Sequence, residues 1–127
     1  MSTFSYTIEI GDFEGSSFEA VEALVDTGAT YTFIPRDILE RLGVSVAEER
    51  PFILANGQQA IYGMAWVRVR FDGREQPTPV IFGESGSEAL LGAVTLEEFG
   101  LSVDPLNQRL VPTPGYLVGL READRPL

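Results

Sequence analysis

The segment that most constrains this chain is a short apolar run that leads directly into Asp26, Thr27 and Gly28. Leu24 and Val25 are typical of a buried strand, so the sequence predicts a carboxylate at the end of an internal strand. Burying an unpaired charge is costly, because the protein interior cannot replace the water that solvated it. Asp26 therefore either has a chemical role or forms an ordinary turn where a strand ends.

The composition and charge exclude several classes of function. The chain has 127 residues, which is enough for one domain with a substantial core and too short for two. A net charge of -10, without any cluster of basic residues, argues against binding to nucleic-acid phosphates. No apolar run approaches the roughly 20 residues that cross a bilayer, and the N-terminus lacks the pattern of a signal peptide. We therefore expect a soluble, cytoplasmic protein with no nucleic-acid partner and no membrane segment.

Cysteine and histidine, which carry much of enzyme chemistry, do not occur in the sequence. Their absence removes thiol nucleophiles, Ser-His triads, imidazole bases and the usual zinc sites. Every positively charged side chain is an arginine, which stays protonated and cannot act as a base. Acid–base chemistry in this chain would therefore come from carboxylates, and we expect neither a metal nor another cofactor.

Alternating and apolar runs of β-forming residues dominate the chain, so the sequence predicts a mainly β fold. The predicted strands lie at 3–10, 18–25, 32–34, 51–54, 65–71, 79–82, 89–91 and 101–104. Asn56 and Gly57 are a strong hairpin signal and join 51–54 to the long alternating stretch that follows. Two short helices are predicted at 35–42 and 95–99, and a glycine ends each of them.

Part of the sequence occurs twice. Residues 39–46 reappear in similar form as 96–103, and the match extends backwards to align 32–34 with 89–91. Each copy is predicted to run strand, helix, glycine and strand. The similarity reflects either common ancestry or the convergence of short helix–glycine–strand units. In both cases it predicts a domain built from two similar halves.

Four motifs together resemble the retropepsin-type aspartic proteases, the single-domain class that includes the retroviral enzymes. In the family's order they are Asp26-Thr27-Gly28-Ala29 after the apolar strand, Thr32-Phe33-Ile34-Pro35 before a helix, the hairpin around Ala55-Asn56-Gly57 at the position of the family's flap, and Ala89-Leu90-Leu91-Gly92 before the second helix. The resemblance implies an all-β, retropepsin-like acid protease fold, a closed β-barrel or sandwich with a flap hairpin and two short helices. We expect this domain to span residues 1–111, with an extended C-terminal tail over 112–127.

The resemblance also implies an aspartic endopeptidase, in which two carboxylates share one proton and activate a water molecule. The chain supplies one Asp-Thr-Gly sequence. Asp104 lies in Ser-Val-Asp-Pro and lacks the Thr-Gly that follows a catalytic aspartate, so we predict a turn residue there. The second carboxylate would then be Asp26 of another copy, across the axis of a homodimer that acts on a peptide or protein substrate.

Individual residues receive roles from the same resemblance. Asp26, Thr27 and Gly28 would form the catalytic motif, with Thr27 bonding across the dimer axis. The residues predicted to contact substrate are Ala29, Thr30, Ala55, Asn56, Gly57, Gln58 and Leu90, of which those at 55–58 form the flap tip. Gly92 would pack under the active-site loop. Asn56 and Gly57 also suit any plain hairpin turn, and Leu90 also suits any apolar core.

Two other functions fit the same residues. A dimer of this fold could bind or scaffold a peptide without turnover. A processing domain could instead depend on a partner or a membrane anchor outside this chain. Tyr31, which follows the motif, could either shape a substrate pocket or simply pack.

Overall fold

The structure is a computed structural model and describes residues 4–114. Its strands are β1 (Ser5–Gly11), β2 (Phe18–Val25), β3 (Thr32–Pro35), β4 (Glu48–Ile53), β5 (Gln59–Phe71), β6 (Arg74–Gly83), β7 (Ala89–Leu91), β8 (Leu101–Asp104) and β9 (Arg109–Pro112). Its helices are α1 (Arg36–Arg41) and α2 (Ala93–Glu98). The predicted all-β fold with two short helices is confirmed.

Six of these strands close into a barrel. The strand order in the main sheet is β1-β2-β7-β3-β6-β5-β4, and β1 also pairs with β5, for example at Ile10↔Val69. β4 lies outside the barrel and pairs with the first half of β5, from Ile53↔Gln59 to Glu48↔Met64. We call this β4–β5 extension the flap hairpin. The predicted closed barrel with a flap hairpin is therefore confirmed, and closure satisfies backbone groups that an open sheet would leave at its edges.

One apolar core fills the barrel interior. Ile10 of β1 and Val67 and Val69 of β5 are inward-facing and have no exposed surface (0%). Phe99, directly after α2, is also buried and packs against Phe71 with ring centroids 4.6 Å apart. Because side chains alternate between the two faces of a strand, the core accounts for the apolar residue at every second position of β5 from Ala65 to Phe71.

A parallel pairing brings two of the predicted motifs together. β2 and β7 run in parallel up to the pair Val25↔Leu91, and β3 likewise runs parallel to β6. Strands that pair in parallel end on the same side of a sheet. The loop that starts at Asp26 and the helix entry at Gly92 therefore lie next to each other.

The repeat is confirmed in its first strand, its helix and its glycine, but not in its last strand. Gly43 and Gly100 both follow a helix with a positive φ, 76° and 65° respectively. β8 then follows in the second copy, whereas residues 44–47 of the first copy form no strand. Val44 instead donates its N–H to the carbonyl of Leu39 at 2.9 Å, so this N–H serves the end of α1 and is not available to a sheet. The prediction of a strand after Gly43 is wrong for this reason.

The flap hairpin turns where Asn56 and Gly57 predict it, although only Gly57 has a positive φ, 84°. Gly57 donates its N–H to the carbonyl of Leu54 at 2.9 Å, and Leu54 donates to the carbonyl of Gln58 at 2.7 Å. The hairpin therefore has a three-residue loop, 55–57, that ends in a left-handed glycine, and not a two-residue loop. Asn56 contributes its side chain, since its Oδ1 accepts the N–H of Gln58 at 2.9 Å.

β9 is not among the predicted strands. It pairs antiparallel with β8 in a separate two-stranded sheet. Asp104 forms the turn between them, as predicted, because its carboxylate accepts the N–H groups of Leu106 at 3.2 Å and Asn107 at 3.3 Å. The predicted domain boundary after residue 111 falls within β9, and the part of the predicted tail beyond Pro114 lies outside the described residues.

Candidate active site

Asp26 directly follows β2 and is held there by backbone hydrogen bonds. Its N–H donates to the Leu91 carbonyl at 3.0 Å, and its own carbonyl accepts the N–H of Ala29 at 3.1 Å. Its carboxylate oxygen Oδ1 accepts the N–H of Gly28 at 2.9 Å. Asp26 is half-buried, so the carboxylate is fixed in orientation while the residue remains partly exposed. The desolvation cost expected for a charge at a strand end is thereby reduced.

Gly28 lies close to that carboxylate. A Cβ atom at this position would be 3.2 Å from Asp26 Oδ1, which is tighter than most side-chain contacts. Thr27 and Gly28 are both exposed. The predicted catalytic motif therefore forms one loop at the protein surface, in which a glycine leaves room for the carboxylate; we call residues 26–30 the Asp26 loop.

Gly92 packs against the Asp26 loop, as predicted. A Cβ atom on Gly92 would lie 2.5 Å from the carbonyl oxygen of Tyr31 and 2.9 Å from that of Ala29. The first of these distances is shorter than any that real Cβ atoms adopt, so only glycine fits. The close approach places the start of α2 in direct contact with the loop backbone.

The first turn of α2 is hydrogen-bonded to the same loop. Ala93 donates its N–H to the carbonyl of Ala29 at 2.8 Å, and Val94 donates to the carbonyl of Thr30 at 2.9 Å. The first N–H groups of a helix have no partner within it, and no side chain caps α2. The Asp26 loop therefore supplies the cap, and two of the predicted substrate-contacting residues hold the helix through their backbones.

A buried row of threonine hydroxyls continues from Gly92 into the protein. Gly92 donates its N–H to Thr32 Oγ1 at 3.0 Å. Thr32 Oγ1 lies 2.7 Å from Thr95 Oγ1, which lies 2.8 Å from Thr78 Oγ1. Thr78 Oγ1 donates to Glu98 Oε1 at 2.6 Å. The three threonines, which we call the threonine chain, are at most 1% exposed, and none was predicted as a site residue.

Four aromatic side chains join the flap hairpin to the segment after the Asp26 loop. Tyr31 packs against Phe52 and Phe33 against Tyr62, with ring centroids 6.1 Å and 5.9 Å apart, and Phe52 lies 6.1 Å from Tyr62. We call these four residues the aromatic cluster. Arg50 of β4 also donates from Nη1 to the hydroxyl of Tyr31 at 3.3 Å. Of the two roles left open for Tyr31, packing is therefore present, and Tyr31 and Arg50 also line a cavity of about 350 Å³.

Leu90 and the flap tip occupy different surroundings. Leu90 is half-buried, whereas its neighbours Ala89 and Leu91 are buried, so Leu90 faces away from the barrel core. It lies beside Phe33 in the antiparallel pairing of β3 and β7. The flap tip at 55–58 is exposed, and its hydrogen bonds described above are internal to the turn. Within one chain the structure thus brings Leu90, Gly92 and the Asp26 loop together and holds the flap hairpin through the aromatic cluster.

A cavity of about 900 Å³ opens beside the motif and is lined by Thr27, Leu96 of α2, Val103 of β8 and Pro114, among others. In the described range, 4–114, no group of three or more His, Cys, Asp or Glu side chains is placed to hold a metal ion. No helix in that part of the chain is long and apolar enough to span a membrane.

The sequence from residue 11 to residue 98 matches the protein family described as "gag-polyprotein putative aspartyl protease". The chain belongs to the retropepsin-like aspartic protease family. The matched range contains the Asp26 loop, the flap hairpin and α2, and so covers the motifs on which the resemblance was based. No curated protein sequence matches the chain.

Solved structures of proteases share the fold. The EIAV protease complexed with the inhibitor HBY-793 is 17% identical, with a TM-score of 0.58, covering 78% of this chain and 89% of the viral one. The simian foamy virus (mac) protease is 19% identical, with a TM-score of 0.54, covering 76% and 94%. A retropepsin-like aspartic protease from Rickettsia conorii is 20% identical, with a TM-score of 0.53, covering 82% and 94%. At these identities the likeness establishes the retropepsin fold.

Proposed function

We propose that this member of the family is an aspartic endopeptidase that works as a homodimer and hydrolyses peptide bonds. A water molecule would be activated between Asp26 of the two subunits. The observation that carries the proposal is Asp26 itself, a half-buried residue at the end of a barrel strand, whose carboxylate is oriented by the Gly28 N–H at 2.9 Å. A carboxylate that is both fixed and partly exposed can accept a proton from water.

The need for two subunits follows from the aspartates of the chain. Only Asp26 is followed by Thr-Gly in the sequence. Asp104 is already used in the β8–β9 turn, where its Oδ2 also accepts a hydrogen bond from Arg109 at 3.2 Å. A two-fold axis beside the Asp26 loop would place the two copies of Asp26 together. The exposed Thr27 and the cavity of about 900 Å³ beside it supply a surface against which a second subunit can pack.

In the proposed reaction the two Asp26 carboxylates share one proton, because two adjacent like charges cannot both be ionised. The ionised carboxylate removes a proton from water, and the oxygen attacks the peptide carbonyl carbon. The protonated partner donates its proton to the carbonyl oxygen. The first carboxyl then passes the proton that it took from water to the peptide nitrogen, while the partner carboxylate takes a proton from a hydroxyl of the tetrahedral intermediate. The C–N bond breaks, which releases a carboxylic acid and an amine and restores the shared proton.

The remaining predicted residues would contact substrate around this centre. We propose that the side chains of Ala29 and Thr30 line the cleft, since their carbonyls are occupied by α2. Leu90, which faces away from the core, would form an apolar wall for a substrate side chain. The flap tip, formed by Ala55, Asn56, Gly57 and Gln58, would close over the peptide and exclude water.

The test is cleavage of an unstructured protein substrate between about pH 3 and pH 7, the range in which carboxylates titrate. Wild type is compared with Asp26→Asn and with Asp104→Asn, a matched control whose amide oxygen can still accept the turn hydrogen bonds. We expect wild type and Asp104→Asn to cleave and Asp26→Asn to be inactive, with all three folded by circular dichroism.

Two other results would contradict the proposal. Cleavage that survives in Asp26→Asn would place the chemistry elsewhere. A folded wild type that cleaves nothing while binding the unstructured substrate as Asp26→Asn does would identify a peptide-binding or scaffolding module.

A further inference from the structure

We propose that the threonine chain, with Glu98 at its end, positions the Asp26 loop for catalysis. Thr32, Thr95 and Thr78 are positioning residues in this proposal, since they act through Gly92 and the loop rather than on substrate. The inference rests on the proposed peptidase function, and its test includes a measurement that does not need activity.

The hydrogen bonds of the threonine chain all run in one direction. The Gly92 N–H at one end can only donate, and Glu98 Oε1 at the other end accepts from Thr78 Oγ1. Each hydroxyl therefore accepts from the Gly92 side and donates toward Glu98, through Thr32, Thr95 and Thr78 in that order. Aligned hydrogen bonds polarise one another, which strengthens each of them.

Hydroxyl groups at these three positions need an explanation other than packing. Valine has nearly the shape of threonine and would fill the same volume without a polar group. A buried hydroxyl left without a partner destabilises the folded state, so polar residues at 0–1% exposure are stable only when all are paired. The threonine chain joins β3, α2 and β6, and its geometry fixes the rotation of α2 relative to both strands.

This rotation is transmitted to the Asp26 loop by backbone contacts. Thr32 fixes the Gly92 N–H at 3.0 Å, and the following N–H groups of Ala93 and Val94 hold the loop carbonyls at 2.8 Å and 2.9 Å. Ala29, one of the residues held, donates its own N–H to the Asp26 carbonyl at 3.1 Å. A small rotation of α2 would therefore displace the carboxylate.

Glu98 is the last member of the threonine hydrogen-bond series and lies at the surface, and a second hydrogen bond also fixes its position. The Gln76 side chain of β6 donates from Nε2 to the Glu98 backbone carbonyl at 2.7 Å. Thr78 and Gln76 thus both join β6 to the last residue of α2. Both ends of α2 are therefore joined to neighbouring strands by hydrogen bonds.

The first experiment compares Thr95→Val with Thr95→Ser. Valine keeps the volume and removes the middle hydroxyl, whereas serine keeps the hydroxyl. We expect kcat per folded dimer to fall about 10–100-fold in Thr95→Val, with a much smaller change in KM, because misplacing a catalytic group by a fraction of an ångström to 1 Å costs this much. The kcat of Thr95→Ser should stay within about threefold of the wild-type value, since the threonine chain keeps all its hydroxyls.

A second variant separates positioning from folding stability. In the triple variant Thr32→Val, Thr78→Val and Thr95→Val, all three hydroxyls are removed and the Gly92 N–H is the buried donor that loses its acceptor, so thermal stability should be no lower than in Thr95→Val, where the Thr32 hydroxyl loses its acceptor. We expect kcat to remain low. A triple variant with wild-type kcat would overturn the proposal, as would a Thr95→Val variant that loses stability but no kcat per folded dimer.

The third measurement is amide hydrogen exchange at Ala29, Ala93 and Val94, which reports on the contact between the loop and α2 without any turnover. Exchange at these amides should accelerate in Thr95→Val and not in Thr95→Ser. Unchanged exchange in Thr95→Val would overturn the proposed positioning even in an active enzyme. If wild type shows no cleavage dependent on Asp26, the proposed function fails, and the exchange result still decides whether the threonine chain holds the loop.

Discussion

Gly92 lies so close to the backbone of Tyr31 that a Cβ atom on the glycine would be 2.5 Å from the tyrosine carbonyl oxygen. Gly92 begins the entry to α2, and Tyr31 lies between the Asp26 loop and β3. The side chain of Tyr31 also packs against Phe52 of the flap hairpin. Through these two contacts Tyr31 couples the helix, the loop that carries the candidate catalytic aspartate, and the flap hairpin.

Replacing Gly92 should disturb this coupling. We expect Gly92→Ala to lower the free energy of unfolding by about 1–3 kcal/mol, because backbone atoms must move to make room for the methyl group. Activity should fall by at least about tenfold, since displacement of a loop by 1 Å has effects of that size. Denaturant unfolding and kcat/KM for peptide cleavage measure the two effects.

The matched control is Gly86→Ala, in the loop between β6 and β7. Gly86 has a φ of 79°, so alanine there is strained, but no atom lies within 4 Å of the added Cβ. This variant should lose roughly 1–2 kcal/mol of stability and keep its activity once folded. Equal loss of activity in the two variants would show that Gly92 has no special relation to the loop.

The Asp26 loop was predictable because its determinants are local. An apolar strand, an aspartate and a glycine follow one another, and the second motif, ending at Gly92, has its own local pattern before α2. The threonine chain was not predictable in the same way, since Thr32 and Thr95 lie 63 residues apart and meet only after β3 and α2 have packed. Threonine is common in strands, so nothing in the local pattern marks these hydroxyls as partners.

The errors in the predicted strands also have local physical causes. Residues 44–47 have strand-like composition, yet the N–H of Val44 is used by α1. β9 has only four residues and contains Arg109 and Pro112, which gives it little of the β-forming pattern. Its pairing with β8 depends on the Asp104 turn, whose carboxylate binds the two N–H groups that reverse the chain.

The aromatic cluster should control the position of the flap hairpin. In Phe52→Ala two ring contacts are lost, to Tyr31 and Tyr62, each of which is worth about 0.5–1.5 kcal/mol beyond its buried area. We expect KM for a peptide substrate to rise by about three- to tenfold for each lost contact, with a smaller effect on kcat. Ile53→Ala is the control, because Ile53 is the next residue of β4 and is 75% exposed. An equal rise in KM in both variants would argue against the cluster.

Tyr6 lies in β1, one of the two strands that close the barrel, and its pKa can be measured by titration. The Tyr6 hydroxyl donates to Asp72 Oδ2 at 2.7 Å. This hydrogen bond, with burial as a smaller cause, raises the pKa of Tyr6 from 10.0 to about 12. Because the folded pKa is the higher one, the stability that it contributes is complete below pH 10 and is lost as the pH rises through about 12.

Near-ultraviolet absorbance titration of the folded protein should therefore show a late tyrosine ionisation, at about pH 12. Tyr6→Phe should remove this late step. Asp72→Asn should lower the pKa of Tyr6 toward its ordinary value, because the neutral amide removes the carboxylate's charge. Asparagine also tolerates the positive φ of 50° at this position. A late ionisation that is unchanged in Tyr6→Phe would contradict the assignment.

Mixing subunits tests whether one active site needs Asp26 from two chains. Wild type and Asp26→Asn are mixed in equal amounts at constant total concentration and allowed to exchange subunits. If both carboxylates are required, only wild-type homodimers cleave, and activity should be about one quarter of that of wild type alone. If each chain acts by itself, activity should be about one half. Asp104→Asn in place of Asp26→Asn is the control and should leave activity near the wild-type value, since the Asp104 carboxylate binds groups of the β8–β9 hairpin, away from the Asp26 loop. One quarter of wild-type activity in the mixture with Asp26→Asn, and full activity in the mixture with Asp104→Asn, would tie catalysis to the paired Asp26 residues.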